Sequence, residues 1–367
     1  MDSLEYGLSF CPSFSPNGKR IVYVNMDTVK IMDSNGLFKK ELDTGYWPSF
    51  SPDGQRILYL KNGTTLSVID VDGTNQIDLI DLSDILFTSS EDAETREKIL
   101  YSNSRSINFP AFSPSGQQVL FTVVLASASA YESNYRIYLY DMNTSELTLL
   151  AVMEQDPTNN RFYYDRNYRR PVVVSPDGNQ VFYFDDNICV INVDGSNRTV
   201  LEGTDCEMFI LSPDGEDIYF LQSVEQENPD SQMRLCTIRA DGSSRVVLAD
   251  DCTSDSLVAL SSDGKKITFV VGQNSEQRNL ITMNVDGSDR KLVTSLGGAG
   301  KLEGELKAVR FTPNGKQLIL EIRKPTGAVC TTDLYAIDVD GKNLIQFTHA
   351  EPDLIYNFDD FSPYGWE

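Results

Sequence analysis

Histidine is almost absent from this chain of 367 residues, since His349 is the only one. A Ser-His-Asp triad and a histidine-bound metal both need imidazole nitrogens, and no Gly-x-Ser-x-Gly elbow is present either. We therefore predict no catalytic residues and no metal ligands. One alternative stays open, which is calcium held by the paired carboxylates Asp185-Asp186, Asp250-Asp251 or Asp359-Asp360.

Positive charge and long apolar runs are also scarce. The chain has 54 acidic and 31 basic residues and a formal charge of -23, and such a surface repels the phosphates of nucleic acid. No apolar run approaches the roughly 20 residues that cross a bilayer. The first residues show no basic region and no apolar region of a signal peptide. We expect no nucleic-acid partner and no membrane span, and these features leave the compartment unknown.

The cysteines are few and never form a Cys-x-x-Cys pair, which excludes an obvious zinc knuckle or redox motif. The six are Cys11, Cys189, Cys206, Cys236, Cys252 and Cys330. Equivalent repeat positions would bring Cys189 near Cys236 and Cys206 near Cys252, but disulfide geometry is strict. Buried free thiols are favoured over bridges.

One short motif recurs eight times in the sequence, and its clearest copy is Phe50-Ser51-Pro52-Asp53-Gly54. The others are residues 14–18, 112–116, 174–178, 211–215, 260–264, 311–315 and 361–365, with Ser262 in place of the proline in one of them. Serine first, proline second and glycine fourth are the preferences of a tight β-turn. Each copy is therefore predicted to be a turn.

The flanks of these turns indicate a repeated sheet. An apolar run follows each turn, a second run follows that, and most copies then reach an Asn-Gly or Asp-Gly hairpin turn such as Asp72-Gly73. Each unit reads as a four-stranded antiparallel meander, and stacking such units predicts a seven-bladed β-propeller. The blades start near Leu8, Tyr46, Asn108, Pro171, Glu207, Leu257 and Lys307, and residues 355–367 hold an extra terminal strand. An eight-bladed ring with an incomplete last blade is the alternative, and residues 1–367 are expected to form one domain.

The repeat resembles the propeller repeat of TolB-like proteins, also described as a WD40-like or PD40 repeat. The residues that carry the resemblance are Phe-Ser-Pro-Asp-Gly, then Gln-Arg-Ile-Leu-Tyr-Leu, then Leu-Ser-Val-Ile-Asp-Val-Asp-Gly, all within residues 50–73. The resemblance implies a periplasmic or extracytoplasmic protein that binds a protein or peptide as a monomeric scaffold. The Trp-Asp and Gly-His signatures of WD-repeat propellers are missing.

The loops of the predicted propeller differ between its two faces. The two kinds of tight turn lie on one face, whereas long loops at residues 81–107 and 152–170 lie on the other. Long loops in compact domains are usually functional or disordered. The long-loop face is therefore the predicted functional face.

One long-loop segment, residues 161–170, concentrates arginine and aromatic side chains in a strongly acidic chain. Its predicted binding residues are Arg161, Tyr163, Tyr164, Arg166, Tyr168, Arg169 and Arg170. Arginine and tyrosine are enriched at binding hot spots. The alternative is structural, with the arginines neutralising the acidic loop at residues 91–97 and the tyrosines covering the mouth of the channel.

Three functions remain open from the sequence. The leading expectation is a non-catalytic TolB-like propeller that binds a protein or peptide through its long-loop face, within a bacterial envelope complex. The second is a propeller that binds or processes carbohydrates or uronates, in which arginines hold carboxylates and tyrosines stack on sugar rings. The third is a propeller domain detached from a peptidase-type hydrolase.

Overall fold

The described residues fold mainly into antiparallel β-sheets. A computed structural model describes residues 12–25, 27–88, 104–126, 133–154, 172–206, 208–224, 233–253, 256–272, 278–297, 302–326 and 329–347. Across these ranges, no helix is long and apolar enough to cross a membrane. In five of the six described sheets, each strand pairs with the strands next to it in sequence.

The first three sheets have four strands each, in sequence order. Sheet 1 contains β1 (Ser13–Phe14), β2 (Arg20–Asn25), β3 (Thr28–Asp33) and β4 (Lys40–Thr44). Sheet 2 contains β5 (Tyr46–Phe50), β6 (Arg56–Lys61), β7 (Thr65–Asp70) and β8 (Ile77–Asp81), and helix α1 (Leu82–Thr88) follows it. Sheet 3 contains β9 (Ser104–Phe112), β10 (Gln118–Ala126), β11 (Ser133–Asp141) and β12 (Leu147–Glu154).

The remaining strands form two four-stranded sheets and one larger sheet between them. Sheet 4 contains β13 (Val173–Val174), β14 (Gln180–Asp185), β15 (Asn187–Asn192) and β16 (Thr199–Leu201). Sheet 5 contains β17 (Met208–Leu211), β18 (Asp217–Ser223), β19 (Met233–Arg239), β20 (Val246–Cys252), β21 (Ala259–Leu260), β22 (Lys266–Gly272), β23 (Arg278–Asn284) and β24 (Lys291–Leu296). Sheet 6 contains β25 (Glu305–Phe311), β26 (Gln317–Thr326), β27 (Val329–Asp338) and β28 (Ile345–Gln346).

The predicted seven-bladed propeller of four-stranded blades is therefore wrong, and its eight-bladed alternative is not supported. The described residues form five four-stranded sheets and one sheet of eight strands, in which seven strands follow one path and β21 pairs beside β22. The two predicted blades that start near Glu207 and Leu257 are one sheet. The predicted extra strand at residues 355–367 lies outside the described residues.

The two predicted blades merge at a single residue pair beside the short strand β21. Strand β21 pairs only with Ile267 and Thr268 of β22, which leaves Val271 of β22 available to another strand. The end of β20 takes the open position, because Cys252 pairs with Val271. The link between the two strands is fixed there as well, since the buried Ser256 hydroxyl accepts the Val270 N–H at 3.0 Å.

The described residues belong to two compact units. Unit 1 comprises Met1–Ile21, Met32–Lys39 and Cys206–Glu367, and unit 2 comprises Val22–Ile31 and Lys40–Asp205. Within unit 2, apolar clusters lie between sheets 1 and 2, between sheets 2 and 3, and between sheets 3 and 4. Within unit 1, one cluster lies inside sheet 5 and another joins sheet 5 to sheet 6. Apolar faces are thus buried between successive sheets.

Each predicted Ser-Pro turn that falls in the described residues is confirmed as a β-turn, and its first hydroxyl explains the choice of serine. In the second copy, the Gly54 N–H donates to the Ser51 carbonyl at 2.8 Å. The Ser51 hydroxyl is buried, accepts the Arg56 N–H at 2.9 Å and donates to Asp53 Oδ1 at 2.5 Å. It therefore fixes both the turn and the first residue of the outgoing strand β6.

The same bonds recur in the other turns with small changes of residue. The first hydroxyl accepts the backbone N–H five residues later in all seven described turns, as in Arg20 to Ser15 at 2.9 Å and Gln317 to Thr312 at 3.1 Å. Where an aspartate is the third residue of the turn, the hydrogen bond from the serine hydroxyl holds the pKa of the aspartate carboxyl below its usual range. These aspartates are Asp53, Asp177, Asp214 and Asp263.

The predicted Asp-Gly hairpin turns also form, and in one of them the glycine touches the neighbouring sheet. Gly341 has φ of +80°, and a Cβ atom there would lie 2.4 Å from the Val293 carbonyl oxygen. Gly287 occupies the equivalent turn in sheet 5 with φ of +87°, and its nearest neighbour would lie 4.0 Å away. Both glycines have left-handed backbone, but only Gly341 also permits a close approach.

Replacing these two glycines separates backbone strain from crowding. We expect Gly287→Ala to destabilise unit 1 by about 1 kcal/mol, the usual strain of a left-handed alanine. Gly341→Ala should destabilise it clearly more, because the Val293 carbonyl must also move. Thermal unfolding of both variants measures the difference, and equal shifts in melting temperature would contradict the close approach.

The Ser-Pro turns also predict how stability depends on pH. The carboxyls of Asp53, Asp177, Asp214 and Asp263 have lowered pKa values in the folded state, so their stabilisation is present above the unfolded value of about 3.9. It is lost as the pH falls through the lowered folded values. A variant with all four changed to asparagine should lose less stability between neutral pH and pH 2 than the parent.

Two turns of the parent chain already have asparagine as their third residue. Asn17 and Asn314 accept the same hydroxyl donors, from Ser15 at 2.9 Å and from Thr312 at 2.8 Å, without a group that titrates. The four-asparagine variant should therefore keep its turns at neutral pH. Acid unfolding followed by circular dichroism tests the prediction, and an unchanged pH dependence would show that these carboxyls contribute nothing to it.

Candidate functional site

The arginine and aromatic residues predicted to bind a ligand lie outside the described residues. They are Arg161, Tyr163, Tyr164, Arg166, Tyr168, Arg169 and Arg170, and the structure describes neither them nor the rest of residues 155–171. Their role as a binding segment stays a prediction. The site geometry given below comes from other residues.

The paired carboxylates that are described take part in ion pairs. Asp185 Oδ2 lies 2.8 Å from an Arg198 nitrogen, and Asp251 Oδ2 lies 2.5 Å from an Arg290 nitrogen. Asp359-Asp360 lies outside the described residues. In the described part of the chain, no group of three or more His, Cys, Asp or Glu side chains is arranged to hold a metal ion.

Four of the six cysteines are described as free and buried thiols, which confirms the prediction for them. They are Cys189, Cys206, Cys236 and Cys252. Burial raises the pKa of Cys189 to about 11 and that of Cys252 to about 12. These two thiols are therefore protonated and unreactive at neutral pH.

An arginine that covers a buried aromatic ring recurs in sheets 4 and 5. The Arg198 guanidinium carbon lies 6.0 Å from the centre of the Tyr183 ring, and its Nε donates to the Tyr183 hydroxyl at 2.7 Å. Arg245 lies 5.6 Å from the Phe220 ring, and Arg290 lies 5.5 Å from the Phe269 ring. Each arginine immediately precedes a strand and covers the apolar face beneath it, which is a packing role.

A polar cleft of about 140 Å³ lies in unit 1, between the first Ser-Pro turn and sheet 6. Its lining includes Asn17, Ser34, Thr312 and Asn314. The side chains of Asn17 and Asn314 already accept hydrogen bonds from the hydroxyls of their own turns. The cleft is thus lined by groups that hold the turns together, and it is a weak candidate for a ligand site.

The inner strands of sheets 2 and 3 carry a more unusual feature, which is the same β-bulge at the same place. In sheet 2, Tyr46 pairs with Leu60 and Ser49 pairs with Leu58, so Trp47 and Pro48 face a single residue of β6. In sheet 3, the pairs Asn108 with Thr122 and Ala111 with Leu120 leave Phe109 and Pro110 in the same position. Proline suits a bulge because it has no N–H to pair.

Each bulge places a large aromatic residue in left-handed backbone. Trp47 has φ of 56° and Phe109 has φ of 53°, whereas bulky residues rarely adopt positive φ. Such a conformation costs of order 1–3 kcal/mol and persists only where the surroundings enforce it. The centres of the two rings lie 5.2 Å apart, with their planes tilted by 58°. We name these two residues, together with Ser49, the aromatic junction.

The aromatic junction also contains polar atoms without partners. Among the described residues, Trp47 Nε1 and Ser49 Oγ are buried and have no hydrogen-bond partner. Ser49 pairs with Leu58, a member of the cluster between sheets 2 and 3, and Trp47 packs against the same cluster. Most buried polar groups in folded proteins are hydrogen-bonded, so two unpaired atoms at one junction require an explanation.

Neighbouring elements hold the aromatic junction in place. Gly45 precedes it, and a Cβ atom at this glycine would lie 2.7 Å from the Leu60 carbonyl oxygen, so no larger residue fits there. The first turn of α1 packs Leu82 and Ile85 into the same apolar cluster. Strand and helix contacts therefore keep the two strained residues fixed.

The sequence analysis missed the aromatic junction, although the sequence contains a signal for it. An aromatic-proline pair begins four residues before the serine of the turn in both repeats, at Trp47-Pro48 and at Phe109-Pro110. Proline inside an inner strand is unusual unless a bulge accommodates it. Two such pairs at one spacing indicate neighbouring bulges.

Comparisons with solved structures show the propeller fold over nearly the whole chain. An oligogalacturonate lyase in complex with manganese matches with a TM-score of 0.65 and 15% identity, covering 91% of this chain and 89% of that chain. The oligogalacturonate lyase of Vibrio parahaemolyticus matches with a TM-score of 0.63 and 14% identity, covering 90% of each. The β-propeller domain of the Trilobed protease of Pyrococcus furiosus matches with a TM-score of 0.58 and 14% identity, covering 94% and 96%.

The β-propeller fold that the resemblance to TolB-like proteins implied is confirmed. TolB of Acinetobacter baumannii matches with a TM-score of 0.48, which is too low to support an argument, so the propeller assignment depends on the three structures above. No family model matches the chain, and no curated protein matches it. The PD40 repeat family is therefore not shown.

These comparisons correct the leading expectation about function. A non-catalytic propeller that binds a protein or peptide was expected, but two of the best-matching structures are oligogalacturonate lyases, which are enzymes. They favour the alternative of a carbohydrate or uronate propeller. At 14–15% identity the likeness itself shows the fold alone.

The manganese of the first lyase does not fit the described residues. The chain has one histidine, and the described residues hold no group of three or more side chains suited to a metal ion. A manganese ion has a preference for several converging nitrogen or oxygen ligands. No reaction step through this metal is therefore derived for the chain.

Proposed function

We propose that the protein binds an acidic carbohydrate of the uronate class. The observation that carries the proposal is the composition of residues 161–170, which hold four arginines and four aromatic residues in a chain with a formal charge of -23. The likeness of fold to two oligogalacturonate lyases supports uronates as the sugar class. The two observations are independent, since one is local composition and the other is backbone architecture.

The chemistry of uronates matches these side chains. A guanidinium group binds a carboxylate through two parallel hydrogen bonds, and this geometry recognises a carboxylate better than a lysine does. Aromatic rings cover the apolar face of a sugar ring. Because the chain as a whole repels anions, a local cluster of arginines is needed before an acidic ligand can approach.

A thermal-shift experiment with tri-galacturonate tests this function. At a concentration of about 100 times its dissociation constant, the ligand should stabilise the protein by about 2.7 kcal/mol. A variant with Arg161, Arg166, Arg169 and Arg170 changed to alanine should lose this stabilisation while keeping the melting temperature of the ligand-free parent.

The control removes the same number of positive charges from exposed positions elsewhere. Its changes to alanine are at Arg20, Arg234, Lys265 and Lys316. This control should keep most of the stabilisation by tri-galacturonate, since it leaves residues 161–170 intact. The proposal is overturned if the parent is not stabilised, and the segment is excluded if both variants respond alike.

A further inference from the structure

Asparagine is followed by glycine at four places in the chain, and the structure distinguishes one of them from the other three. The pairs are Asn17-Gly18, Asn35-Gly36, Asn62-Gly63 and Asn314-Gly315. An asparagine before glycine is prone to lose its side-chain amide, because glycine has no side chain that hinders attack by its own backbone nitrogen. All four asparagines are exposed, so neither sequence nor exposure separates them.

In three of the pairs, the atoms that would react are already hydrogen-bonded. The glycine N–H donates at 2.8 Å to the carbonyl three residues earlier at Gly18, Gly36 and Gly315. The asparagine side chains are held as well, since Asn35 Oδ1 accepts the Leu37 N–H at 3.0 Å and the other two accept hydroxyls of their own turns. Reaction at these places therefore requires a local opening of the turn first.

The turn between β6 and β7 leaves the same atoms unbonded. Among the described residues, neither the Gly63 N–H nor the Asn62 side-chain amide has a hydrogen-bond partner. The turn is closed by a different bond, from the Thr64 N–H to the Lys61 carbonyl at 3.2 Å. A Cβ atom at Gly63 would have no neighbour within 4 Å, so solvent reaches the Gly63 nitrogen.

We propose that Asn62 is the asparagine at which the folded protein deamidates first. The Gly63 nitrogen gives its proton to a solvent base and bonds to Asn62 Cγ. The bond from Cγ to the side-chain nitrogen breaks, and that nitrogen leaves as ammonia with a proton. Water then opens the cyclic imide at either carbonyl, which gives aspartate or isoaspartate. The reaction consumes only water, transfers no electrons and is independent of the proposed function.

The β6–β7 turn is connected to helix α1, so the two products should differ in their effect. The Leu82 N–H donates to the Thr64 carbonyl at 3.0 Å, and the Thr65 hydroxyl donates to Asp81 Oδ2 at 2.7 Å. Leu82 is buried in the apolar cluster between sheets 2 and 3. Isoaspartate at position 62 adds a carbon to the main chain beside Thr64 and should loosen this connection, whereas aspartate adds only a charge.

Peptide mapping of the parent protein tests the site directly. The folded protein is incubated at mildly alkaline pH below its melting temperature, and mass spectrometry follows the deamidation of each asparagine. Asn62 should react at least about fivefold faster than Asn35, as expected when one hydrogen bond must open first. In the chain unfolded by guanidinium chloride, all four asparagines should react at similar rates.

Asn35 provides a matched control, since it is also an exposed asparagine before glycine in a hairpin turn. Glutamine forms the cyclic imide far more slowly because its ring has one more carbon. Asn62→Gln should therefore remove the main acidic form that ion-exchange chromatography resolves after incubation, and Asn35→Gln should keep it. The mapping of the parent does not depend on whether either variant folds.

The site is overturned if any of the other three asparagines reacts as fast as Asn62 in the folded protein. It is also overturned if Asn62 stays intact while the unfolded chain reacts. Thermal unfolding of the purified acidic form tests the effect on α1, with Asn62→Asp as the control that has the same charge. The acidic form should melt at a lower temperature than Asn62→Asp, and equal melting temperatures would contradict a loosened connection.

Discussion

The buried hydroxyl of the Ser-Pro turn is the interaction on which the described sheets depend. It ties the end of one strand to the start of the next, as Ser51 does between β5 and β6. Because the hydroxyl is buried, loss of either partner would leave an unpaired polar group with a penalty of about 1–3 kcal/mol. The same bond recurs in all seven described turns, with threonine in one of them. The pairing of the first two strands of each meander therefore begins from one fixed point.

The bulges of sheets 2 and 3 fall at the same distance before that fixed point. The strand leading into the turn is anchored at its end, so an extra residue must be absorbed further from the turn. In both sheets the aromatic-proline pair occupies that place, and the two aromatic rings meet because the sheets are neighbours. The register of the two inner strands therefore brings Trp47 and Phe109 together.

The sequence predicts much of the local structure and less of the arrangement of sheets. Turns and meanders are encoded within about 40 residues by serine, proline and glycine, so they were predicted correctly. The pairing of Cys252 with Val271 merges two predicted blades into one sheet, and no local pattern in the sequence indicates this pairing. The left-handed backbone of Trp47 and Phe109 was missed because intrinsic preferences argue against it in bulky residues.

An acidic protein that binds an acidic sugar needs different side chains for the carboxylate and for the sugar ring. Arginines can recognise a carboxylate only where their local field exceeds the repulsion from the rest of the chain. Aromatic side chains can cover the face of a sugar ring independently of its charge. Both kinds of contact are needed if the protein is to distinguish a uronate from a neutral sugar and from a simple anion.

The central claim is that the ligand is an acidic carbohydrate, and calorimetric titration with two forms of one sugar tests it most directly. Tri-galacturonate and its methyl ester have the same rings and differ in charge. We expect the acid to bind at least about tenfold more tightly than the ester, with a preference that falls as salt screens the charges. Equal affinity for the two forms, or no heat from either, would contradict the account.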